Sequence, residues 1–104
     1  MTAAQEQAIQ SAQSYLSMDS GFSRAGLIGQ LSSSAGSGFP KTVAIFAVDH
    51  LHVNWNEQAV LSAKGYLSMG TGFSRAGLID QLSSSAGSGF THAQAVYAAN
   101  YVGL

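Results

Sequence analysis

Apolar residues recur at helical spacing along most of the chain. Ala8, Ile9, Ala12, Tyr15 and Leu16 form one stripe, which predicts an amphipathic helix over about Ala4–Met18. Thr2 and Gln5 have capping-box spacing at its start. Asp19-Ser20-Gly21 ends it, with glycine supplying the backbone freedom of a C-terminal cap. Ser23 suits the N-cap of a second helix, because its hydroxyl can accept from a free backbone N–H. Phe22 and Leu27 then occupy the N′ and N4 positions of a hydrophobic staple. This helix runs to about Ser33, with Leu27, Ile28 and Leu31 inward. Ser34-Ala35-Gly36-Ser37-Gly38 breaks the chain, and Phe39 is expected to plug the core. Pro40 suits the start of a third helix, over Lys41–Leu51, with Val43, Ala44, Ala47, Val48 and Leu51 inward. No segment alternates with the period of two that a strand requires.

The same pattern returns 51 residues later. Tyr15–Phe39 and Tyr66–Phe90 align without a gap and differ at three positions, Asp19/Gly70, Ser20/Thr71 and Gly29/Asp80. After the joint His52-Val53-Asn54, Trp55 opens a fourth helix, with Asn54 and Glu57 at capping-box spacing. Ser74–Ser84 and Thr91–Val102 complete the second copy, with Thr91 as N-cap. A period of this size marks one supersecondary unit per copy. The expected fold is all-α: two tandem three-helix repeats, residues 1–52 and 53–104, packed as one compact unit. The tight turn between the second and third helices makes each copy helix-turn-helix-like. Gly26 and Gly77, unfavourable in a helix, suggest close approach of another helix.

Composition narrows the function. Only 9% of the 104 residues are charged and the net charge is −1, so there is no field to attract nucleic acid or anionic lipid. The predicted third helices carry one lysine between them, which removes the basic contacts that a DNA-reading helix-turn-helix requires. A small DNA-binding regulator is therefore the alternative reading, and a passive surface spacer another. There is no cysteine, hence no disulfide or thiolate metal site. No apolar run approaches the ~20 residues of a membrane span. The first residues resemble no signal peptide.

Candidate chemistry is sparse. The serine runs contain no nucleophile elbow, and no catalytic residue is expected. His50 and His52 stand two apart, which fits neither one helix face nor a zinc signature. Ala35-Gly36-Ser37-Gly38 lacks the strand and the Lys-Ser/Thr of a phosphate loop. No metal or cofactor is expected. Arg24 and Arg75 stand out: each lies in the first turn of a helix, where the dipole disfavours a cation. Each needs an anion such as Asp49, or a partner. Trp55 suits joint packing or a binding anchor. Asp80 gives the second copy a charge that Gly29 does not. The candidate protein-contact residues are Arg24, Asp49, Trp55, Arg75 and Asp80.

Several motifs occur together in order: Tyr-Leu-x-Met, then Gly-Phe-Ser-Arg-x-Gly-Leu-Ile-x-Gln-Leu, then Ala-Gly-x-Gly-Phe. With Ala47–Leu51 (Ala-Val-Asp-x-Leu) and the joint Val53–Ala59, they cover both copies. In these the chain resembles the host-cell-surface-exposed lipoprotein (Ltp) family. The resemblance implies tandem three-helix units held outside a Gram-positive membrane by a lipid on an N-terminal cysteine. It also implies a protein partner. Phage-borne members are associated with superinfection exclusion, blocking DNA injection through an incoming phage's tape-measure protein. The chain departs from the family in having no lipobox cysteine, so its expected place is the cell surface with the anchor outside these residues. Its turns are Ser- and Gly-rich where members often carry charge.

Overall fold

The computed structural model describes residues 1–104. It has six helices and no strand: α1 (Ala3–Leu16), α2 (Arg24–Ser32), α3 (Lys41–His50), α4 (Trp55–Ser68), α5 (Arg75–Ser83) and α6 (His92–Tyr101). The caps explain these boundaries. Thr2 and Gln5 form a reciprocal capping box, and Thr91 with Gln94 forms another. Ser23 and Ser74 accept from the backbone N–H of Gly26 and Gly77. Asn54 accepts from the Glu57 N–H.

Helix α1 ends at Leu16, two residues short of the sequence expectation. The N–H groups of Met18 and Asp19 bond to the carbonyls of Tyr15 and Leu16, three residues back. Asp19 then turns to φ +55°, a left-handed conformation that aspartate tolerates better than most residues. Gly70 takes its place in the second copy at φ +73°. The exchange of Asp for Gly at this position thus keeps one backbone shape.

Within each half, three helices pack around a small core. Ala12, Leu27, Ile28, Leu31, Ala44 and Val48 form the first. Ala59, Val60, Ala63, Leu78, Leu82, Phe90 and three alanines of α6 form the second. The alanines let helix axes approach closely, and the buried leucines fill what remains. Phe22 packs on the first core as the staple predicts, and Phe39 packs there as the expected plug.

The Gly-Ser turn is held by a polar network that occurs twice. The Ser37 hydroxyl lies 3.0 Å from that of Ser11 and 3.2 Å from the Tyr15 phenol, and the Gln30 amide donates to the same phenol. These two hydrogen bonds hold the Tyr15 phenol below its usual pKa, the one with Ser37 having the larger effect. Ser88, Ser62, Tyr66 and Gln81 repeat the arrangement. Gly36 passes so close to the Gln30 carbonyl that a Cβ there would collide with it. Each phenol also stands edge-on to the staple ring, at 5.7 Å from Phe22 and from Phe73. Removing one phenol, as in Tyr66→Phe, is expected to destabilise the fold by about 1 kcal/mol. Urea unfolding checks this: the midpoint falls while the slope stays unchanged.

Helix–helix packing lies within the halves, and the molecule measures 44 × 24 × 21 Å. The halves meet through a compact junction. The Phe22 N–H donates to the Gln58 side-chain oxygen at 2.9 Å, and the Ser23 hydroxyl donates to the Ser88 carbonyl. Gly21 lies against the α4 backbone, where its Cβ would meet the Gln58 carbonyl at 2.6 Å. Trp55, the first residue of α4, packs on the first half's core. The two buried polar side chains, Ser23 and Ser62, both belong to this junction. Gly26 has a different reason from the expected one. No helix approaches it; its Cβ would meet the Ser23 cap oxygen at 2.9 Å and the Ser88 carbonyl at 3.6 Å.

Candidate protein-contact surface

Arg24 opens α2 and Asp49 lies in the last turn of α3. The guanidinium meets the carboxylate with two parallel bonds, Nε to Oδ1 at 2.8 Å and an amino nitrogen to Oδ2 at 2.9 Å. This is the bidentate geometry that arginine supports best. It supplies the anion that a cation at a helix N-terminus calls for. Arg24 holds the Asp49 carboxyl below the usual carboxylate range, mainly through the hydrogen bonds. Asp49 in turn raises the Arg24 guanidinium.

Both side chains are about half exposed, so the pair contributes below about 1 kcal/mol. Its pH dependence has a definite sign. Asp49 is depressed in the folded state, so its contribution is complete above the ordinary carboxylate value of about 3.9. It disappears as the pH falls through the lowered folded value. Asp49→Asn is expected to flatten that part of the acid-unfolding profile while changing stability at pH 7 by less than about 1 kcal/mol. Circular dichroism through an acid titration of both proteins checks it.

The second half carries the same arginine without the carboxylate. Arg75 donates to the side-chain oxygen of Asn100 at 2.7 Å. Asn100 stands where Asp49 does, 51 residues on. Arg75 thus keeps a net charge on an exposed surface. Asp80 is exposed on α5, and the site of its counterpart Gly29 is open to solvent. Of the five residues singled out from sequence, Arg24 and Asp49 converge. Arg75 and Asp80 share α5, and Trp55 lies in the junction.

The structure adds aromatic pairs that the sequence reading does not single out, although His50 is weighed there as a metal ligand. Phe46 and His50 stack at 5.8 Å on α3, and Tyr97 and Tyr101 stack at 6.3 Å on α6. Their spacing of four residues is the signal that could have revealed them. Tyr97, Tyr101, Val60, Leu61 and Glu57 line an open groove of about 290 Å³ between α4 and α6. The Lys64 ammonium lies 5.6 Å above the Tyr101 ring, within cation–π range. The second half therefore presents an aromatic groove together with an arginine that no carboxylate neutralises.

The fold is thus a tandem of two three-helix units without a strand, with aromatic and charged side chains exposed on its helices. The sequence profile of the host cell surface-exposed lipoprotein family matches residues 3–51 and again residues 54–102, and the chain belongs to that family. It is similar to the solved structure of Ltp, a superinfection exclusion protein from the Streptococcus thermophilus temperate phage TP-J34. The TM-score is 0.83 at 27% identity, over 96% of each chain. Comparison with curated proteins gives no match.

Proposed function

We propose that the chain is a non-enzymatic, extracellular protein-binding module of a surface lipoprotein whose role is superinfection exclusion. It engages a protein of an incoming phage, with the tape-measure protein as the candidate, and stops DNA injection. The observation that carries this reading is the similarity to a superinfection exclusion protein over 96% of both chains. The surface chemistry supports it. Tyrosine and arginine are, with tryptophan, the residues enriched among those that dominate binding energy at protein interfaces, and the second half exposes both. Arg24 and Asp49 already satisfy one another, so the proposal gives the two copies unequal roles. Arg75, Asp80, Tyr97 and Tyr101 make the principal contacts, with Arg24, Asp49 and Trp55 behind them.

Expression of the chain with an added lipid anchor tests the proposal. Infecting phage should adsorb normally, and DNA entry should fall. The double variant Arg75→Ala/Tyr101→Ala should remove most of the protection at unchanged surface level. The reading fails if plating efficiency is unaltered across many phages. Charge reversal at Asp80 that leaves protection intact would remove that residue from the contact.

A further inference from the structure

The junction between the halves is a contact between two different faces of the same repeat. One face, a socket, comes from the first copy and includes Gly21, Ser23 and Ala25. The other, a plug, comes from the second copy and includes Gln58, Ser62 and Ser88. Because the chain is a duplication, each face exists twice. The second copy carries an unused socket at Gly72, Ser74 and Ala76. The first carries an unused plug at Gln7, Ser11 and Ser37. All six of these residues are identical to their engaged counterparts.

Exposure separates the used from the unused face at the glycine, the cap serine and the two α4 positions, whereas Ala25 and Ala76 are exposed alike and Ser88 and Ser37 are half-buried alike. Ser23 is 1% exposed, while Ser74 is exposed. A Cβ on Gly21 would strike the α4 backbone, and one on Gly89 would meet the Ser23 oxygen at 3.3 Å; Gly72 and Gly38 have open space. The Ser74 hydroxyl caps its own helix and has no carbonyl opposite it, unlike Ser23.

We propose that these faces join one molecule to the next, the socket of one copy receiving the plug of a second copy of this chain. The Ser74 hydroxyl would donate to the neighbour's Ser37 carbonyl, and the Phe73 N–H to its Gln7 side chain. The contact is heterologous, so it leaves one socket and one plug free and extends into rods instead of closing. Two features make it weaker than the covalent junction. Ala4 stands where Trp55 does, so the aromatic packing is missing. In addition, Gly103 and Leu104 of one copy and Met1 of the next would share the place of the His52-Val53 joint, and must fold aside.

Sedimentation velocity and small-angle scattering on the whole chain, up to about 1 mM, test this; that is the effective concentration a short linker supplies. The mean mass should rise above 10.7 kDa with concentration, and the particles should lengthen without thickening. Ala4→Trp should restore the missing packing and lower the midpoint concentration at least roughly tenfold. Ala76→Arg, exposed in the single molecule, should abolish association without loss of helical content. A mass fixed at the monomer value for both wild type and Ala4→Trp overturns the proposal. So does a closed dimer that Ala76→Arg and Gln7→Ala leave intact, or association driven by a different face.

Discussion

Leu27→Ala is expected to destabilise the protein by about 3 kcal/mol, a large share of what a domain of this size possesses. Leu27 is fully buried and occupies the N4 position of α2, where the staple from Phe22 ends. Its neighbours Ala12 and Ala44 are too small to move into the void. In the first core only Leu27, Leu31 and Val48 are both large and fully buried, and truncating one of them leaves a cavity that its surroundings close only in part. The melting temperature should fall by at least about 10 °C, taking the lower end of the usual conversion for a small domain. Thermal unfolding followed by circular dichroism measures it. A drop of only a few degrees would show that the first core collapses more readily than its packing implies.

Gly21→Ala should be comparably damaging, and its control is built into the duplication. Gly21 and Gly72 have φ values of +84° and +78°, so alanine is strained by about 1 kcal/mol at either. Only at Gly21 does the new Cβ strike another segment, the backbone of α4 at Gln58 and Ser62. A clash with backbone cannot be relieved by a rotamer change, and overpacking of this kind adds about 1–3 kcal/mol. The expected difference between the two variants is therefore about 2 kcal/mol in urea midpoint experiments. Trp55, at the same junction, supplies a local readout: its fluorescence should shift in Gly21→Ala and not in Gly72→Ala. Equal effects at the two glycines would mean that the junction yields without strain.

The helices were legible because their signals are local. Each apolar stripe and each N-cap at Thr2, Ser23, Asn54, Ser74 and Thr91 lies within one element, and the structure places all five caps as the side-chain chemistry requires. The Arg24–Asp49 pair was legible for a related reason, since a cation at a helix N-terminus creates a local need for an anion. The junction was not legible. Its polar residues are the same in both copies, so nothing in Ser23 against Ser74, or Ser88 against Ser37, marks which socket is filled, and Trp55 against Ala4 is the one difference among the junction residues. That choice belongs to the length and geometry of the joint. Gly26 was misread because its constraint comes from a side-chain cap and a turn carbonyl instead of a helix. The exchange of Asp49 for Asn100 can be read by carrying the alignment past Phe90. Its consequence, an arginine left with a neutral partner, required knowing that Asp49 pairs with Arg24.

The account rests on two copies of one bundle locked end to end, so that both present their outer helices in a fixed relation. Residual dipolar couplings from the backbone amides of both halves test this most directly. A single alignment tensor, with its long axis along the 44 Å dimension, should fit residues 3–51 and 54–102 together. Two tensors of different magnitude or orientation, one per half, would contradict it.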